Sequence, residues 1–420
     1  QFPTAVIAVW LEIPIAILFG KWLARSQNHF LFKTIVSVAL LYGCVYLGIL
    51  FPVTLPSFSF LPATGLWTII LLIYAFIASV LPVGLLLQPR DYLNAWQLYI
   101  AVAIIVAGMV VSGLTGQLNF VAPAVNLAVD SAPSMWPFLF ITIACGAISG
   151  FHCLVCSGTS AKQLDSEADA QYVGYGSMLV EGALAVIVLI AVGAGIGMGY
   201  EHGGQLLTGS AAFNAHYASW QSSAGLGSKL TAVVIGCANM MSSIGVSTSL
   251  AIAIVGVFIA SFAGTTLDSA TRIQRYVISE FAKGMNWKRV SNKYSATAVA
   301  VLTGLLLAFS SGLNGKGALL LWPIFGAVNQ LLGGLALIVI SVYVAKKSSW
   351  VIVTLIPCMC VLGVTIWASV LNQITFLMSK NYLLSIINSV ILVLACFIAI
   401  EAIKLLPIKL DFKRKRAVKL

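Results

Sequence analysis

Three carboxylates stand in strongly apolar sequence: Glu12, Glu181 and Asp268. An ionised side chain is costly there, so each is a candidate to hold a proton, a cation or a charged substrate group. Glu181 is the deepest. It lies nine residues into the apolar run 172–198, among Gly174, Gly176, Ser177, Gly182 and Ala183. That places it about 13 Å along a helix, near a bilayer midplane. It reads either as an ion-coupling carboxylate or as a protonated acid holding closely packed helices together. Asp268 and Arg272 are four residues apart in Thr265-Thr266-Leu267-Asp268-Ser269-Ala270-Thr271-Arg272. On a helix they share one polar stripe with Thr265 and can pair. The stripe is either a structural ion pair with Arg272 snorkelling to the interface, or an inner gate and ion site. Glu12, two residues before Pro14, reads first as structural.

The neutral candidates sit in two interrupted segments. The first, 145–160, contains Ser149, Gly150, His152, Ser157, Gly158 and Thr159. Its small and hydroxylated residues argue against a regular helix. Unwound backbone at membrane depth is tolerated where it is buried in protein or lines a wet cavity. Helix ends there offer oriented N–H and C=O groups to ions and substrates. His152 is either a proton relay or a satisfied packing residue. His152, Cys153 and Cys156 do not make a structural zinc site, which needs four ligands; no metal and no cofactor are expected. The second segment, 310–330, holds Pro323, suited to a helix N-terminus, and the adjacent amides Asn329 and Gln330. These amides bond either a polar substrate or a neighbouring helix.

The elements that must position these groups are membrane helices. Of 420 residues, 60% are hydrophobic and 8% charged, with a mean hydropathy of +1.01. A soluble domain carries roughly 25% charged residues. A soluble enzyme, a disordered chain and a disulfide-stapled domain are excluded. Continuous apolar runs argue against an outer-membrane barrel, whose strands alternate. Eleven runs have spanning length: 5–23, 31–51, 66–87, 93–114, 136–156, 172–198, 249–270, 295–312, 322–345, 350–371 and 383–404. A twelfth, 229–242, is short. It is expected to be re-entrant or interfacial, a lid or gate within an external loop 199–248. With eleven spans, 20 of the 23 basic residues fall on the side of the C-terminal tail. The positive-inside rule then places the first residue outside and the C-terminus in the cytoplasm. The net charge of +11 is a topology signal, and no nucleic-acid partner is expected.

Four motifs carry a family resemblance. They are Ser149-Gly150-Phe151-His152 with Ser157-Gly158-Thr159; Gln88-Pro89-Arg90-Asp91-Tyr92-Leu93-Asn94; Thr265 through Arg272; and Leu321-Trp322-Pro323-Ile324-Phe325-Gly326 through Asn329-Gln330-Leu331. In this order they resemble the carbon starvation protein A (CstA) family of inner-membrane transporters, over essentially the whole chain. The resemblance implies a secondary transporter of peptides or pyruvate, coupled to protons or sodium. It implies an architecture like that of the amino acid–polyamine–organocation superfamily, with LeuT-like inverted repeats and broken helices. It also implies further transmembrane helices upstream.

The expectation is an all-α polytopic membrane protein with about eleven transmembrane helices and broken or re-entrant segments. A single transporter domain covers 1–404 and a basic cytoplasmic tail covers 405–420. The substrate set is Ser149, Gly150, His152, Ser157, Gly158, Thr159, Asn329 and Gln330. The ion-coupling set is Glu181, His152 and Asp268; the gate is Thr265, Asp268 and Arg272. The expected partners are the lipid bilayer of a bacterial inner membrane, the small-molecule substrate and a coupling cation, H⁺ or Na⁺. The function is import in a carbon-starvation response. The alternative is a channel or facilitator for small carboxylates without ion coupling. Three scattered acids are too few for a charged pore ring.

Overall fold

A chain that crosses hydrocarbon must satisfy its backbone hydrogen bonds within itself, which favours long helices. The computed structural model describes residues 2–26, 28–126, 132, 134–223, 225–347 and 350–405; residues 406–420 of the expected basic tail lie outside them. The helices are α1 (Ala5–Arg25), α2 (Phe30–Leu50), α3 (Ala63–Val80), α4 (Leu87–Leu114), α5 (Phe140–Ala147), α6 (Gly150–Gly158), α7 (Asp169–Gly193), α8 (Gly209–His216), α9 (Trp220–Ser223), α10 (Leu226–Ser242), α11 (Thr248–Gly284), α12 (Lys293–Phe309), α13 (Trp322–Lys347), α14 (Ile352–Met378) and α15 (Tyr382–Leu405). Two short strands, β1 (Tyr200–His202) and β2 (Gln205–Leu207), pair antiparallel between α7 and α8.

Among the described residues, ten helical segments are long and apolar enough to cross a bilayer. The protein is all-α and polytopic. The run expected to span at 295–312 is α12, with 17 residues, below the roughly 20 that a hydrocarbon core asks for. At 37 residues, α11 is about 55 Å long, longer than a bilayer core of about 30 Å.

The helices fall into two compact units: residues 1–132, 164–307 and 313–315, and residues 133–163, 308–312 and 316–420. The first unit builds its core from α1, α2, α4, α7, α10 and α11, with Val45, Ile105, Val234, Met240, Met241 and Val255 buried together. The run 229–242 is not a surface lid in an open loop. It forms α10, which packs against α4, α7 and α11, with Ala232, Val234, Gly236, Cys237, Ala238, Met240 and Met241 buried. Small residues bring these backbones together, as membrane helices require in place of a hydrophobic drive. A Cβ on Gly236 would stand 2.1 Å from the Ala191 carbonyl oxygen of α7. In the second unit α13 packs against α5, α6, α14 and α15. Leu331, Ile338, Cys358, Leu362 and Ala395 form its core.

Candidate functional site

The first unit holds a charged centre on three helices. Glu12 of α1, Arg90 of α4 and Asp268 of α11 are 1%, 3% and 0% exposed. Arg90 Nη2 lies 2.6 Å from Asp268 Oδ2, and Arg90 Nε lies 4.0 Å from Glu12 Oε1. Tyr74 of α3 donates its hydroxyl to Asp268 Oδ2 at 2.9 Å and accepts a short hydrogen bond from Arg90 Nη1. Ser261 donates to Glu12 Oε2 at 2.5 Å, and Asn94 Nδ2 donates to Thr265 Oγ1 at 3.3 Å. Helical periodicity explains the assembly. Arg90, Asn94 and Gln97 recur at i, i+4 and i+7 on α4, and Ser261, Thr265, Asp268 and Arg272 recur likewise on α11. Each set is one stripe on an otherwise apolar helix.

The predicted Asp268–Arg272 pairing is corrected here. Asp268 is bound by Arg90 and Tyr74, while Arg272 Nη2 donates to the carbonyls of Ala78 and Leu81 at 3.1 and 3.0 Å. Arg275 Nη1 donates to the Ser79 carbonyl at 2.7 Å. The last carbonyls of a helix have no partner within it and carry its negative dipole end. The C-terminus of α3 is buried against α11, so its carbonyls take both guanidiniums. Thr265 and Asp268, expected with Arg272 as the gate, bond to Asn94 and to Arg90 and Tyr74 respectively.

The second unit holds a neutral centre at a break. The segment 145–160 is irregular where expected: α5 ends at Ala147, Ile148 and Ser149 leave helical geometry (φ −134, ψ 89 and φ −103, ψ 123), and α6 starts at Gly150. Ser149 caps α6 by accepting from His152 N at 3.4 Å. Asn329 Oδ1 accepts from Phe151 N at 2.8 Å. Its Nδ2 donates to Ser149 Oγ at 3.2 Å and to Cys145 Sγ at 2.9 Å. The backbones of α6 and α13 touch at Gly150, where a Cβ would meet Leu332 Cβ at 2.2 Å and the Asn329 carbonyl oxygen at 2.4 Å. Gln330 is the neighbour of Asn329 in sequence and its opposite in bonding. It is 1% exposed, and neither its Oε1 nor its Nε2 has a hydrogen-bond partner among the described residues.

The structure therefore brings together Ser149, Gly150 and Asn329; Gln330 follows Asn329 on α13 and, among the described residues, makes no side-chain hydrogen bond to the break. His152 and Ser157 are exposed on α6; Gly158 and Thr159 are half-buried at its far end. Glu181 lies on an exposed stretch of α7, away from the charged triad. Three contributors to the charged centre went unassigned in the sequence, Tyr74, Asn94 and Ser261, and a fourth, Arg90, reads there with Asp91 as fixing the turn at 88–94 in preference to binding substrate. The stripe 90, 94, 97 was the signal for two of them. A groove of about 510 Å³ beside α1 is lined by Val6, Trp10, Leu11, Trp67 and Ile70. With no polar wall it offers nothing to a carboxylate or a peptide. No group of three or more His, Cys, Asp or Glu suited to a metal occurs among the described residues.

A third, smaller polar layer surrounds the hairpin. His216 of α8 is 6% exposed. Its Nδ1 is 3.0 Å from the Tyr200 hydroxyl and its Nε2 3.3 Å from Ser228 Oγ. Burial holds its imidazole below the ordinary value.

Residues 1–368 match the family model described as Carbon starvation protein CstA. Peptide transporter CstA of Helicobacter pylori J99 is 30% identical over 88% of this chain and 59% of that protein. Peptide transporter CstA of Mycobacterium tuberculosis H37Rv is 33% identical over 87% of this chain and 54% of that protein. Pyruvate/proton symporter BtsT of Escherichia coli K12 is 30% identical over 88% and 59%. The chain thus spans 54–59% of the length of these three relatives. No solved structure matches it.

Proposed function

The chain belongs to the carbon starvation protein CstA family, and from that premise we propose that it is the membrane body of a secondary transporter importing peptides or pyruvate with a coupling proton. The relatives carry transporter names, and one is named a pyruvate/proton symporter. Within the chain, the observation that most supports this reading is Gln330. A fully buried amide with both polar atoms unpartnered costs free energy unless something bonds it. It stands next to the residue that holds the broken helix, where a polar substrate finds both an amide and a helix end.

In this reading Ser149, Gly150 and Asn329 keep the break open. Gln330 bonds the substrate, with His152, Ser157, Gly158 and Thr159 completing the polar set. Asp268 belongs to the coupling machinery, and Thr265 and Arg272 to the gate. Glu181 and His152 are further proton-carrying candidates. The protein lies in a bacterial inner membrane with its C-terminus in the cytoplasm and serves a carbon-starvation response. The test is uptake of labelled pyruvate and labelled dipeptides into proteoliposomes, with and without an inward pH gradient. Accumulation above equilibrium that follows the gradient supports the reading. Equilibration without accumulation makes the protein a facilitator, and no saturable uptake of either class removes the transport reading.

A further inference from the structure

The charged centre of the first unit is incompletely hydrogen-bonded. Among the described residues, four buried oxygens in it have no hydrogen-bond donor, Glu12 Oε1, Asp268 Oδ1, Asn94 Oδ1 and Gln97 Oε1, and two of Arg90's nitrogens, Nε and Nη2, contact the carboxylates as ion pairs without hydrogen-bond geometry. Asn94 and Gln97 are 2% and 6% exposed and belong to the α4 stripe that starts at Arg90. Arg90 is the one cation within ion-pair distance of Glu12 or Asp268 among the described residues. It is not shared equally, being 2.6 Å from Asp268 and 4.0 Å from Glu12. Arg272 and Arg275 are committed to the carbonyls of α3. Asp268 thus has the close pair, while Glu12 has only the longer one and the Ser261 hydroxyl bond. Burying a carboxylate whose counter-ion is held elsewhere is far costlier than burying an acid.

We propose that Glu12 is the proton-carrying group of the transport cycle and that Arg90 senses its state by exchanging between Asp268 and Glu12. A proton on Glu12 Oε1 turns an acceptor without a hydrogen bond into a donor, and leaves Arg90 on Asp268, the closer pair seen. When Glu12 gives up that proton, Arg90 has two carboxylates to serve and closes the 4.0 Å gap, loosening the Arg90–Tyr74–Asp268 tie. The helix that carries Glu12 is built to follow. Pro14 has no N–H for the carbonyl four residues earlier, so α1 lacks one backbone hydrogen bond at this level and bends there at lower cost. The elements packed on α1 are α2, α4 and α11. From α4 the charged groups are Arg90 and Asp91, and from α11 Asp268. From α2 they are Lys33, bonded to the Trp22 and Ser26 carbonyls at 3.0 and 2.5 Å, with Tyr42 and Cys44 ordinarily uncharged. Tyr74 of α3 completes the set.

This inference rests on the proton-coupled reading above, so its test has one arm free of transport. In infrared difference spectra of the purified full chain, the carbonyl band of a protonated carboxylic acid should be present at neutral pH. It should vanish in Glu12→Gln and persist in Asp268→Asn. A band that survives Glu12→Gln, or that is removed by added sodium chloride in place of alkali, overturns the proposal. In proteoliposomes, a gradient of one pH unit supports about tenfold accumulation by a one-proton symporter. Glu12→Gln should abolish that accumulation and keep substrate counterflow; accumulation at the wild-type level overturns the proposal. If Glu12→Gln does not fold, Glu12→Asp keeps the acid and should move the pH midpoint of the band; an unmoved midpoint is equally fatal. A wild type that accumulates neither pyruvate nor dipeptide sinks the transport reading, and the band still decides the proton.

Discussion

The two units admit polar groups into apolar helix bundles by different means. The first uses charge: Arg90, Asp268 and Glu12, each 3% exposed or less, tied through Tyr74 and Ser261. The second uses neutral amides and hydroxyls at a backbone break, with Asn329 joined to Phe151, Ser149 and Cys145. Charge in low dielectric is strong, long-ranged and exchangeable, so the first arrangement suits a switch. A neutral cap is short-ranged and geometric, so the second suits a fixed opening.

The largest effect should come from breaking the charged centre. Arg90→Ala leaves Asp268 buried without its partner, and removing one member of a buried pair costs about 3–5 kcal/mol. Thermal unfolding in detergent should show this loss, and most of it should return in the double variant Arg90→Met, Asp268→Leu. If the single and double variants unfold alike, the pair is not what holds α4 to α11. The neutral centre should give a smaller number. Asn329→Ala strips a partner from the Phe151 N–H and the Ser149 hydroxyl, and an unsatisfied buried group costs about 1–3 kcal/mol. Hydrogen exchange should rise first at residues 149–152. A uniform rise across the second unit would mean that Asn329 packs α13 generally and does not cap α6 specifically.

Why these two centres differed in legibility follows from the range of their contacts. The break at 145–160 was visible because Gly150 and its hydroxylated neighbours are local signals, and the capping of α6 by Ser149 is local too. The stripe Thr265–Asp268–Arg272 was visible by period. Its partner was not: the i+4 rule offers Arg272 to Asp268, and nothing in the sequence says that the carbonyls at the end of α3 compete for that guanidinium. Arg90, Arg272 and Arg275, counted toward one membrane face by charge, are 3%, 3% and 6% exposed and act inside the fold. The helix α10 was judged by the length of its apolar run. Its position in the core comes from Ala232, Gly236 and Ala238, whose small size permits close approach where hydropathy carries no signal.

Gln330 sharpens the contrast between a structural amide and a free one. Replacing an unpartnered buried polar group by an apolar one of similar size is close to neutral. Gln330→Leu should therefore unfold within about 1 kcal/mol of the parent, unlike Asn329→Ala, while uptake of the transported substrate falls. A large loss of stability would show that the amide has a structural partner, and unchanged uptake would take Gln330 out of the substrate site.

The smallest effect belongs to His216, and its sign is fixed by where the proton prefers to go. Burial beside Tyr200 and Ser228 keeps the folded imidazole below its ordinary value, which is about 6.5. Above that value both folded and unfolded chains hold a neutral ring, and the group adds no pH dependence. As pH falls below it, the unfolded chain takes up the proton first, so stability is lost on acidification through this window. Melting the protein at about pH 7.5 and about pH 5.5 should show a small drop that Glu substitutions in the charged centre leave in place and His216→Gln removes. The neutral Gln keeps a donor and an acceptor for Tyr200 and Ser228 but has nothing to titrate. A drop that survives His216→Gln and disappears with Glu12→Gln would assign the acid sensitivity to the charged centre, and would leave the hairpin layer as packing alone.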